Sequence, residues 1–281
     1  MNRGFSVKFF RILKNITFTI LILGIVIGIY VTFIERKLLV VKKIDSNVLK
    51  EEVGLKLVQF TDTQLGEYYT IDVLKRAVDK INSVNPDIVV FTGDLIDHAN
   101  KYEDINKVSG VFKKINAIVG KYAIFGNHDY GGGAEWYYEN IMEEAGFDVL
   151  RNEKVSLTYN DKLINIIGAD DGLMRKLNAQ NCINGVSEDA INILLLHEPD
   201  LIQEFYNYPI DLALCGHSHG GQVYIPFYGP LVYNYLAKNY SKGLYYLDND
   251  RETVLYVDSG LGNTKVPFRM CNIPRVTLFN I

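Results

Sequence analysis

Twenty consecutive residues without a charge restrict the amino-terminal region more than any other feature: NITFTILILGIVIGIYVTFI, between Lys14 and Glu35. As an α-helix, a run of this length spans the hydrocarbon core of a bilayer. It is longer than the apolar part of a signal peptide, and no small-residue cleavage site follows it. A cleaved signal and a buried core helix are the alternatives. We predict an uncleaved, single membrane-spanning helix over about residues 15–34.

The residues around this run leave its orientation and its neighbours open. Four basic residues precede the run and four follow it, so the positive-inside rule does not decide. The short basic amino terminus is typical of a signal anchor, which favours a cell-membrane protein whose large domain lies outside the cytoplasm. Gly24 and Gly28 have the G-x-x-x-G spacing that packs two helices closely, which would allow a homodimer; glycines facing lipid are the alternative.

The charge of the chain is divided unevenly along its length. Residues 1–43, the predicted tail, anchor and basic juxtamembrane segment, hold eight of the 29 Lys and Arg and one of the 33 Asp and Glu. Residues 44–281 therefore carry 21 basic and 32 acidic residues, a formal charge of −11. An acidic domain has no general affinity for nucleic acid, and its field repels phosphate. If the domain handles phosphoesters, bound cations have to do so locally.

Residues 44–281 alternate between buried-strand and helical patterns and are interpreted as one α/β domain. Strands are predicted at 55–62, 87–94 and 122–129, and helices at 70–84, 101–115 and 134–146. Further strand-like runs follow: SLTYNDKLINIIGAD, INILLLHEPD, IDLALCGH, GLYYLDNDRETVLYVDSG and PRVTLFNI. The last two are interpreted as hairpins. The pattern predicts a layered domain with helices outside its sheets.

Polar side chains follow five of the predicted strands. They are Asp62, Gln64, Asp94, Asn127, His128, His197, His217 and His219, and they include four of the five histidines. The carboxyl ends of strands in an α/β sheet converge on one crevice, so these side chains are expected to lie together. Imidazoles and carboxylates that converge indicate a metal site. Helix caps and turns are the alternative use of the same residue types.

In this order, the motifs FTDTQ, TGD, GNHD, LLLH and GHSH resemble the calcineurin-like metallophosphoesterase superfamily over most of 55–281. The GHSHGGQ form and the amino-terminal apolar run resemble its bacterial membrane-linked phosphodiesterases. The resemblance implies a two-sheet β-sandwich flanked by helices, with two divalent metal ions at the strand ends.

The resemblance also implies roles for individual residues. One ion would take Asp62, Gln64, Asp94 and His219, and the other would take Asp94, Asn127, His197 and His217, with Asp94 as the bridge. A hydroxide between the ions would attack phosphorus, while His128 would help the leaving group depart. Asp129 is expected to orient the His128 ring, with an ordinary turn residue as the alternative.

Gln64 departs from the superfamily, in which most relatives have histidine at this position. An amide oxygen is a harder ligand than imidazole and favours Mn²⁺ or Mg²⁺ over Zn²⁺. Manganese-dependent ADP-ribose/CDP-alcohol diphosphatases of the superfamily also carry Asp-x-Gln. Two divalent ions are expected, Mn²⁺ first, with Mg²⁺, Fe²⁺ and Zn²⁺ as alternatives.

Residues for the substrate are less specific. Arg269 and Arg275 are candidates for a bidentate phosphate contact, with solvated surface arginines as the alternative. An aromatic cluster follows the GHSHGG motif and would form a wall for a lipid or base, a membrane-facing rim, or ordinary core packing: Tyr224, Phe227, Tyr228, Tyr233, Tyr235 and Tyr240.

Three functions are compatible with these features. The first is a membrane-tethered phosphodiesterase or pyrophosphatase acting on lipid-linked or envelope phosphoesters. The second is a UDP-diacylglucosamine-type lipid pyrophosphatase, which requires a domain facing the cytoplasm. The third is a catalytically weakened scaffold, for which the change at Gln64 would be the sign of decay.

Overall fold

A computed structural model describes residues 3–45, 48–131 and 133–281; the first two residues of the tail predicted over 1–43 lie outside these ranges. Within them, the strands in chain order are β1 (Val40–Ile44), β2 (Lys56–Phe60), β3 (Ile88–Phe91), β4 (Gly120–Ala123), β5 (Asp148–Val149), β6 (Glu153–Tyr159), β7 (Lys162–Gly168), β8 (Ile191–Leu195), β9 (Leu212–Cys215), β10 (Tyr224–Ile225), β11 (Gly229–Pro230), β12 (Gly243–Tyr246), β13 (Val254–Val257) and β14 (Arg275–Asn280).

These strands form two six-stranded sheets and one small hairpin. The first sheet has the order β1-β14-β2-β3-β4-β5, and the second has the order β12-β13-β9-β8-β7-β6. β10 and β11 form the hairpin. The central strands β2, β3 and β4 run parallel to one another, as do β7, β8, β9 and β13. Parallel strands end at the same edge, so each sheet brings several strand ends together.

The two sheets are joined by apolar side chains that alternate along the strands. Leu57, Val90 and Ile124 of the first sheet lie in one buried cluster with Ile193 and Leu214 of the second. The neighbouring positions on the same strands point to the opposite face, because successive residues of a strand alternate. The result is a sandwich with a continuous core between the sheets.

The helices are α1 (Arg3–Ile29), α2 (Ile71–Asn82), α3 (Ile105–Phe112), α4 (Asn127–Tyr130), α5 (Tyr138–Glu144) and α6 (Ala179–Cys182). Of these, α2, α3, α5 and α6 cover the outer faces of the sheets. In α2, the buried residues Leu74, Ala77, Val78 and Ile81 follow the spacing of one helix face. They pack against the outer face of the first sheet, and α6 with the 3₁₀ segment Pro199–Phe205 covers the second. The predicted two-sheet α/β sandwich flanked by helices is confirmed.

The amino-terminal helix projects from this sandwich. α1 continues through π-helical Tyr30–Ile34 and a 3₁₀ turn at Glu35–Lys37. Residues Val7–Lys37 are long and apolar enough to cross a membrane, with a mean hydropathy of 2.5 and only 6% of their most apolar window buried. An apolar helix that is exposed along its described side chains is suited to the interior of a bilayer.

The juxtamembrane segment differs from its prediction. The sequence places residues up to 43 outside the domain, but β1 (Val40–Ile44) pairs in parallel with β14 along the first sheet. Only Leu38 and Leu39 separate this strand from the end of the helical segment at Lys37. The boundary between anchor and domain therefore lies before β1, because the backbone of Val40–Ile44 finds its hydrogen-bond partners in the sheet.

Candidate metal centre

Five strand ends meet at one edge of the sandwich. Asp62 and Gln64 follow β2, Asp94 follows β3, and Asn127 and His128 begin the short helix α4 after β4. From the second sheet, His197 follows β8, while His217 and His219 follow β9. Both sheets contribute because the side chain of Gln59 in β2 donates to the carbonyl of Cys215 in β9 at 3.0 Å. This contact fixes the two sheets to each other just below the edge.

The backbone at this edge is strained. Five of the predicted ligands have the positive φ angles that residues other than glycine rarely adopt: Asp62 (49°), Gln64 (45°), Asp94 (63°), His217 (64°) and His219 (48°). Such angles cost about 1–3 kcal/mol each and persist where the surroundings enforce them, most often at functional sites. The strand ends are held in positions that the isolated chain would avoid.

Glycines let the loops approach each other. A Cβ atom at Gly93 would lie 2.6 Å from the backbone nitrogen of Gly126 and 2.7 Å from Nδ1 of His197. Any larger residue at Gly93 would therefore push the loops after β3 and β4 apart. The TGD and GNHD motifs need their glycines because their backbones touch.

Two groups of potential ligand atoms share Asp94. In the first, Asp94, His197 and His217 each place one ligand atom within 4.8 Å of the others. The Oδ1 atom of Asn127 lies 3.0 Å from Nδ1 of His217 and extends this group to four residues.

The second group consists of Asp62, Asp94 and His219, also within 4.8 Å of one another. The side chain of Gln64 lies beside this group, because its amide nitrogen donates to Oδ2 of Asp94 at 2.6 Å, and its Oε1 atom has no hydrogen-bond partner in the described part of the chain. The same Oδ2 atom lies 3.3 Å from Nε2 of His197, which belongs to the other group. One oxygen of Asp94 thus faces both groups, as a bridging ligand has to.

Unpartnered atoms test whether these residues suit a metal. Buried Nε2 of His197, Nδ1 of His219 and Oε1 of Gln64 have no hydrogen-bond partner in the described part of the chain. Three orphaned ligand atoms in one buried cluster are costly unless something else binds them. His197 and His217 each hold one ring nitrogen against a backbone carbonyl: Nδ1 of His197 lies 2.7 Å from the carbonyl of Thr92, and Nε2 of His217 lies 2.8 Å from that of Tyr235. Donation to these carbonyls leaves Nε2 of His197 and Nδ1 of His217 free to coordinate. The donor set fits divalent cations.

The pKa shifts of the buried residues also indicate that the cluster suits bound cations. Burial raises the pKa of Asp62 to about 7, although His197 opposes the shift. Burial acts in the same sense on Asp94, but the surrounding imidazoles of His197 and His128 outweigh it and hold its pKa below the ordinary value. Burial together with Arg269 depresses the pKa of His219. Burial opposes the charged ring of His197, but Asp94 and Asp62 raise its pKa well above the ordinary value. The buried carboxylates of the cluster therefore favour positive charge beside them, which bound cations would supply.

His128 lies beside this cluster with a partner that the motif analysis missed. Its Nδ1 atom is 3.2 Å from a carboxylate oxygen of Asp97 and 3.2 Å from the Asp97 carbonyl. Burial favours the neutral ring, but the Asp94 and Asp97 carboxylates outweigh it and raise the pKa of His128 to about 9. A proton on Nδ1 held by Asp97 leaves Nε2 for a substrate. Asp97 follows TGDLI by position alone, which is too weak a signal to identify it from sequence.

Asp129 has a different place from the expected one. Its buried carboxylate accepts hydrogen bonds from the backbone nitrogens of Asp94 (2.7 Å), Leu95 (2.8 Å) and Gly126 (2.9 Å). No contact with the His128 ring is found among the residues that the structure describes. The expectation that Asp129 orients His128 is corrected: it joins the loops after β3 and β4, and Asp97 faces the ring.

The two arginines also differ from their prediction. Arg269 is fully buried, and its guanidinium donates to the carbonyls of Ser259 (2.9 Å), Asn272 (3.3 Å) and Gly262. It cannot reach a phosphate in solvent, because its donors already hold the loop around it. Arg275 lies at the start of β14, where Nε faces the carbonyl of Ile273 at 3.4 Å. Neither arginine belongs to the described lining of the cavity over the metal cluster.

That cavity has a volume of about 410 Å³. Its lining includes the predicted residues Asp94, Asn127, His128, His217 and His219. It also includes Tyr235, from the aromatic cluster selected in the sequence, and residues that sequence reasoning did not select, namely Asp97, His98, Leu173, Asn234, Thr264 and Lys265. Lys265 is the one lysine or arginine among these lining residues.

Comparison with known proteins agrees with this geometry. The family model described as calcineurin-like phosphoesterase matches residues 55–221. An uncharacterised metallophosphoesterase of Bacillus subtilis (YkuE) is 38% identical over 229 residues, which cover 81% of this chain and 79% of the relative. The UDP-2,3-diacylglucosamine pyrophosphatase LpxG of Chlamydia muridarum is 26% identical, over 84% of this chain and 88% of the relative. A transmembrane protein with a metallophosphoesterase domain from Danio rerio is 28% identical over 80% of this chain and 52% of its own.

The family model covers more than half of the chain, and the Bacillus relative is similar along most of both sequences. The matched range begins at the start of β2 and ends just after His219, so it contains every predicted metal ligand. The chain therefore belongs to the calcineurin-like phosphoesterases and is a metal-dependent phosphoester hydrolase.

Proposed function

We propose that this chain uses two divalent metal ions, preferably Mn²⁺, to hydrolyse phosphodiester or pyrophosphate bonds. It does so while anchored to a membrane. The observation that carries the proposal is Asp94, one carboxylate that faces two separate groups of buried ligand atoms, several of them unpartnered in the described part of the chain. Asp62, Gln64 and His219 would hold one ion, and Asn127, His197 and His217 would hold the other. The intact set speaks against a scaffold that has lost its chemistry.

The chain's own residues prepare the reaction. When bound, two such ions polarise the phosphoryl group and lower the pKa of water between them. His128 stands at the rim of the cluster, protonated on Nδ1 toward Asp97, and donates a proton from Nε2 to the departing oxygen. Lys265 also lines the cavity and would bind phosphate oxygens, while Asn234 donates to the carbonyl of His217 at 2.7 Å and holds that loop. The strained loops keep these groups fixed before the substrate arrives.

The anchor confines the substrate to a membrane surface. We propose that α1 is a single-pass span with the domain on the outer side, so that the natural substrates are lipid-linked or envelope phosphoesters. The formal charge of −11 on residues 44–281, which gives no general affinity for nucleic acid, is consistent with that choice.

A lipid pyrophosphatase of the UDP-diacylglucosamine type is the second candidate. The observation that favours it is the Chlamydia relative, which matches along nearly the whole of both chains. This function requires the opposite sidedness, with the domain in the cytoplasm. Protease added to sealed cells would digest the domain under the first proposal and would spare it under the second.

A substrate panel tests the proposed function on full-length protein in detergent micelles. The panel contains bis(p-nitrophenyl) phosphate, a nucleotide diphosphate sugar and UDP-diacylglucosamine, each with and without Mn²⁺, together with measurement of bound metal. We expect two ions per chain and Mn²⁺-dependent hydrolysis. Two bound ions without hydrolysis of any diester or pyrophosphate would favour the scaffold, and fewer than two ions would contradict the dinuclear site.

A further inference from the structure

An exposed apolar segment projects beside the metal cavity. In residues 227–235, Phe227 is fully exposed, Tyr228 is 72% exposed and Tyr235 is 66% exposed, and Leu231 and Val232 are also more than half exposed. This segment includes the tip of the β10–β11 hairpin. A contiguous apolar surface of this kind, exposed on a folded domain, marks an interaction site.

Hydrogen bonds connect this segment to the end of the anchor. The backbone nitrogen of Arg269 donates to the carbonyl of Val31 at 3.2 Å. On the next residue, the carbonyl of Met270 accepts from the backbone nitrogen of Tyr224 in β10 at 2.9 Å. One segment, Arg269–Met270, therefore lies between the end of the anchor helix and strand β10 of the hairpin.

These contacts keep the hairpin close to the end of the anchor helix. Val31 belongs to the uncharged run that ends three residues later at Ile34. Adding one strand spacing and the three residues from Tyr224 to Phe227 places the hairpin tip within roughly 20 Å of the helix end. A bilayer spanned by α1 would therefore have its surface within reach of the exposed segment.

The sequence around this segment is poor in acidic residues. No carboxylate occurs between Asp211 and Asp248, and no Asp or Glu occurs after Asp258. The same stretches contain the exposed Lys238 and Lys265, and the carboxylate of Asp200 lies beside Lys238, where it accepts from the backbone nitrogen of that residue at 2.9 Å. Exposed aromatic rings next to exposed lysines are suited to the headgroup region of an anionic bilayer.

A small apolar cavity leads from this face toward the metal cluster. It has a volume of about 240 Å³ and is lined in part by Leu231, Val232, Val266 and Phe268. Its walls also include His219, Asn234, Thr264 and Lys265, which line the metal cavity as well. An apolar group held here would place its attached phosphate near the metal ligands.

We propose that residues 227–235 insert into the headgroup layer of the bilayer that α1 spans, so that the apolar cavity opens onto lipid. The chain then touches the membrane twice, through the helix and through this segment, and the metal cavity faces the lipid surface. The proposal rests on the membrane anchoring proposed above but does not depend on any particular substrate.

Fluorescence of a single tryptophan tests the insertion in full-length protein. The chain has one tryptophan, Trp136, and Trp136→Phe provides a silent background. In this background Phe227→Trp reports on the segment, and Tyr246→Trp is the matched control. Tyr246 is 67% exposed, lies on β12 and pairs with Val254 at the sheet end remote from the metal ligands. Both proteins are reconstituted into phosphatidylcholine–phosphatidylglycerol vesicles with and without brominated acyl chains.

We expect brominated lipid to quench the emission of the Phe227→Trp protein and the vesicles to shift it to shorter wavelength, with neither change in the Tyr246→Trp control. Equal quenching in the two proteins, or none in Phe227→Trp, would overturn the proposal. Emission at short wavelength that brominated lipid fails to quench would also overturn it, because a protein partner such as a second copy would then cover the segment. Since Phe227 is fully exposed, its substitution removes no core packing.

Discussion

The Nδ1 atom of His128 lies 3.2 Å from a carboxylate oxygen of Asp97, and the two residues meet at the rim of the metal cluster. This pairing separates the residue that transfers a proton from the residues that bind metal. His128→Ala should slow hydrolysis of substrates with poor leaving groups by about 100-fold or more while both metals stay bound. Measured metal loss equal to the loss of rate would show that His128 is a ligand.

Asp97→Asn tests the partner of the same ring. The amide cannot stabilise a charged imidazole as the carboxylate does, so the alkaline limb of the pH–rate profile should move to lower pH. Asp97 contributes to the raised pKa of His128, so removing its charge lowers that pKa and the ring loses its proton at a lower pH. His98→Ala is the control, because its ring centre lies 6.4 Å from that of His128. An unchanged profile in Asp97→Asn would limit Asp97 to a structural role.

Asp94→Asn should nearly abolish turnover, by roughly 1000-fold, because it removes the charge that both ions would share. The neutral side chain keeps the volume of the carboxylate and an oxygen that accepts from the backbone nitrogen of His128. Metal stoichiometry measured beside activity distinguishes this from misfolding. Two tightly bound ions with full activity would contradict the bridging role.

Gln64 should make one of the two metal sites the weaker. Its group has two carboxylates, one imidazole and one neutral amide oxygen, and an amide is a poor ligand beside imidazole. Activity should therefore rise with Mn²⁺ in two phases. Gln64→His should tighten the weaker phase and increase its relative affinity for Zn²⁺, whereas Gln64→Ala should lose one ion. If all three proteins bind two ions with the same affinities, Gln64 is not a ligand.

Asp129→Asn should lower the free energy of unfolding and should affect the rate of hydrolysis less. The carboxylate accepts three backbone N–H groups, and an amide in its place turns one NH₂ toward donors. Each buried donor left without a partner costs about 1–3 kcal/mol. Denaturant unfolding of the metal-free protein measures the loss directly. Unchanged stability with slowed turnover would restore Asp129 to a catalytic role.

Asp171 should make stability depend on pH. Burial and the neighbouring carboxylate of Glu198 raise the pKa of Asp171 to about 9, from an ordinary value of 3.8. The folded protein therefore keeps a proton that the unfolded chain releases, and stability should fall as the pH rises between these values, by up to about 1.4 kcal/mol per pH unit. Thermal unfolding of Asp171→Asn from pH 5 to pH 9 should show a flatter dependence than the wild type. Parallel plots of stability against pH for the two proteins would contradict the raised pKa of Asp171.

Local patterns explain why part of this structure could be predicted from sequence. Asp62, Asp94 and His217 follow apolar strands within a few residues, and parallel strands bring such ends together whatever the rest of the chain does. Long-range pairings leave no comparable pattern. The run PRVTLFNI is interpreted from sequence as a hairpin, which is wrong: as β14 it lies between β1 and β2 in the first sheet. The burial of Arg269 is equally hidden, because its partners are backbone carbonyls, which every sequence has.

Asn272 joins the anchor to the reaction centre. Its backbone nitrogen donates to the buried carboxylate of Glu35 at 2.6 Å, and its side chain donates to the carbonyl of His219 at 2.6 Å. Only two residues separate Lys37 from β1, so the domain cannot rotate freely relative to the helix. A hydrolase on a long tether searches a volume, whereas the anchoring proposed above would confine this domain to a plane at a single height. Under that proposal, with a lipid-linked substrate, the encounter rate would be governed by how fast the substrate diffuses laterally within the lipid layer, and membrane fluidity would become a kinetic parameter of the enzyme.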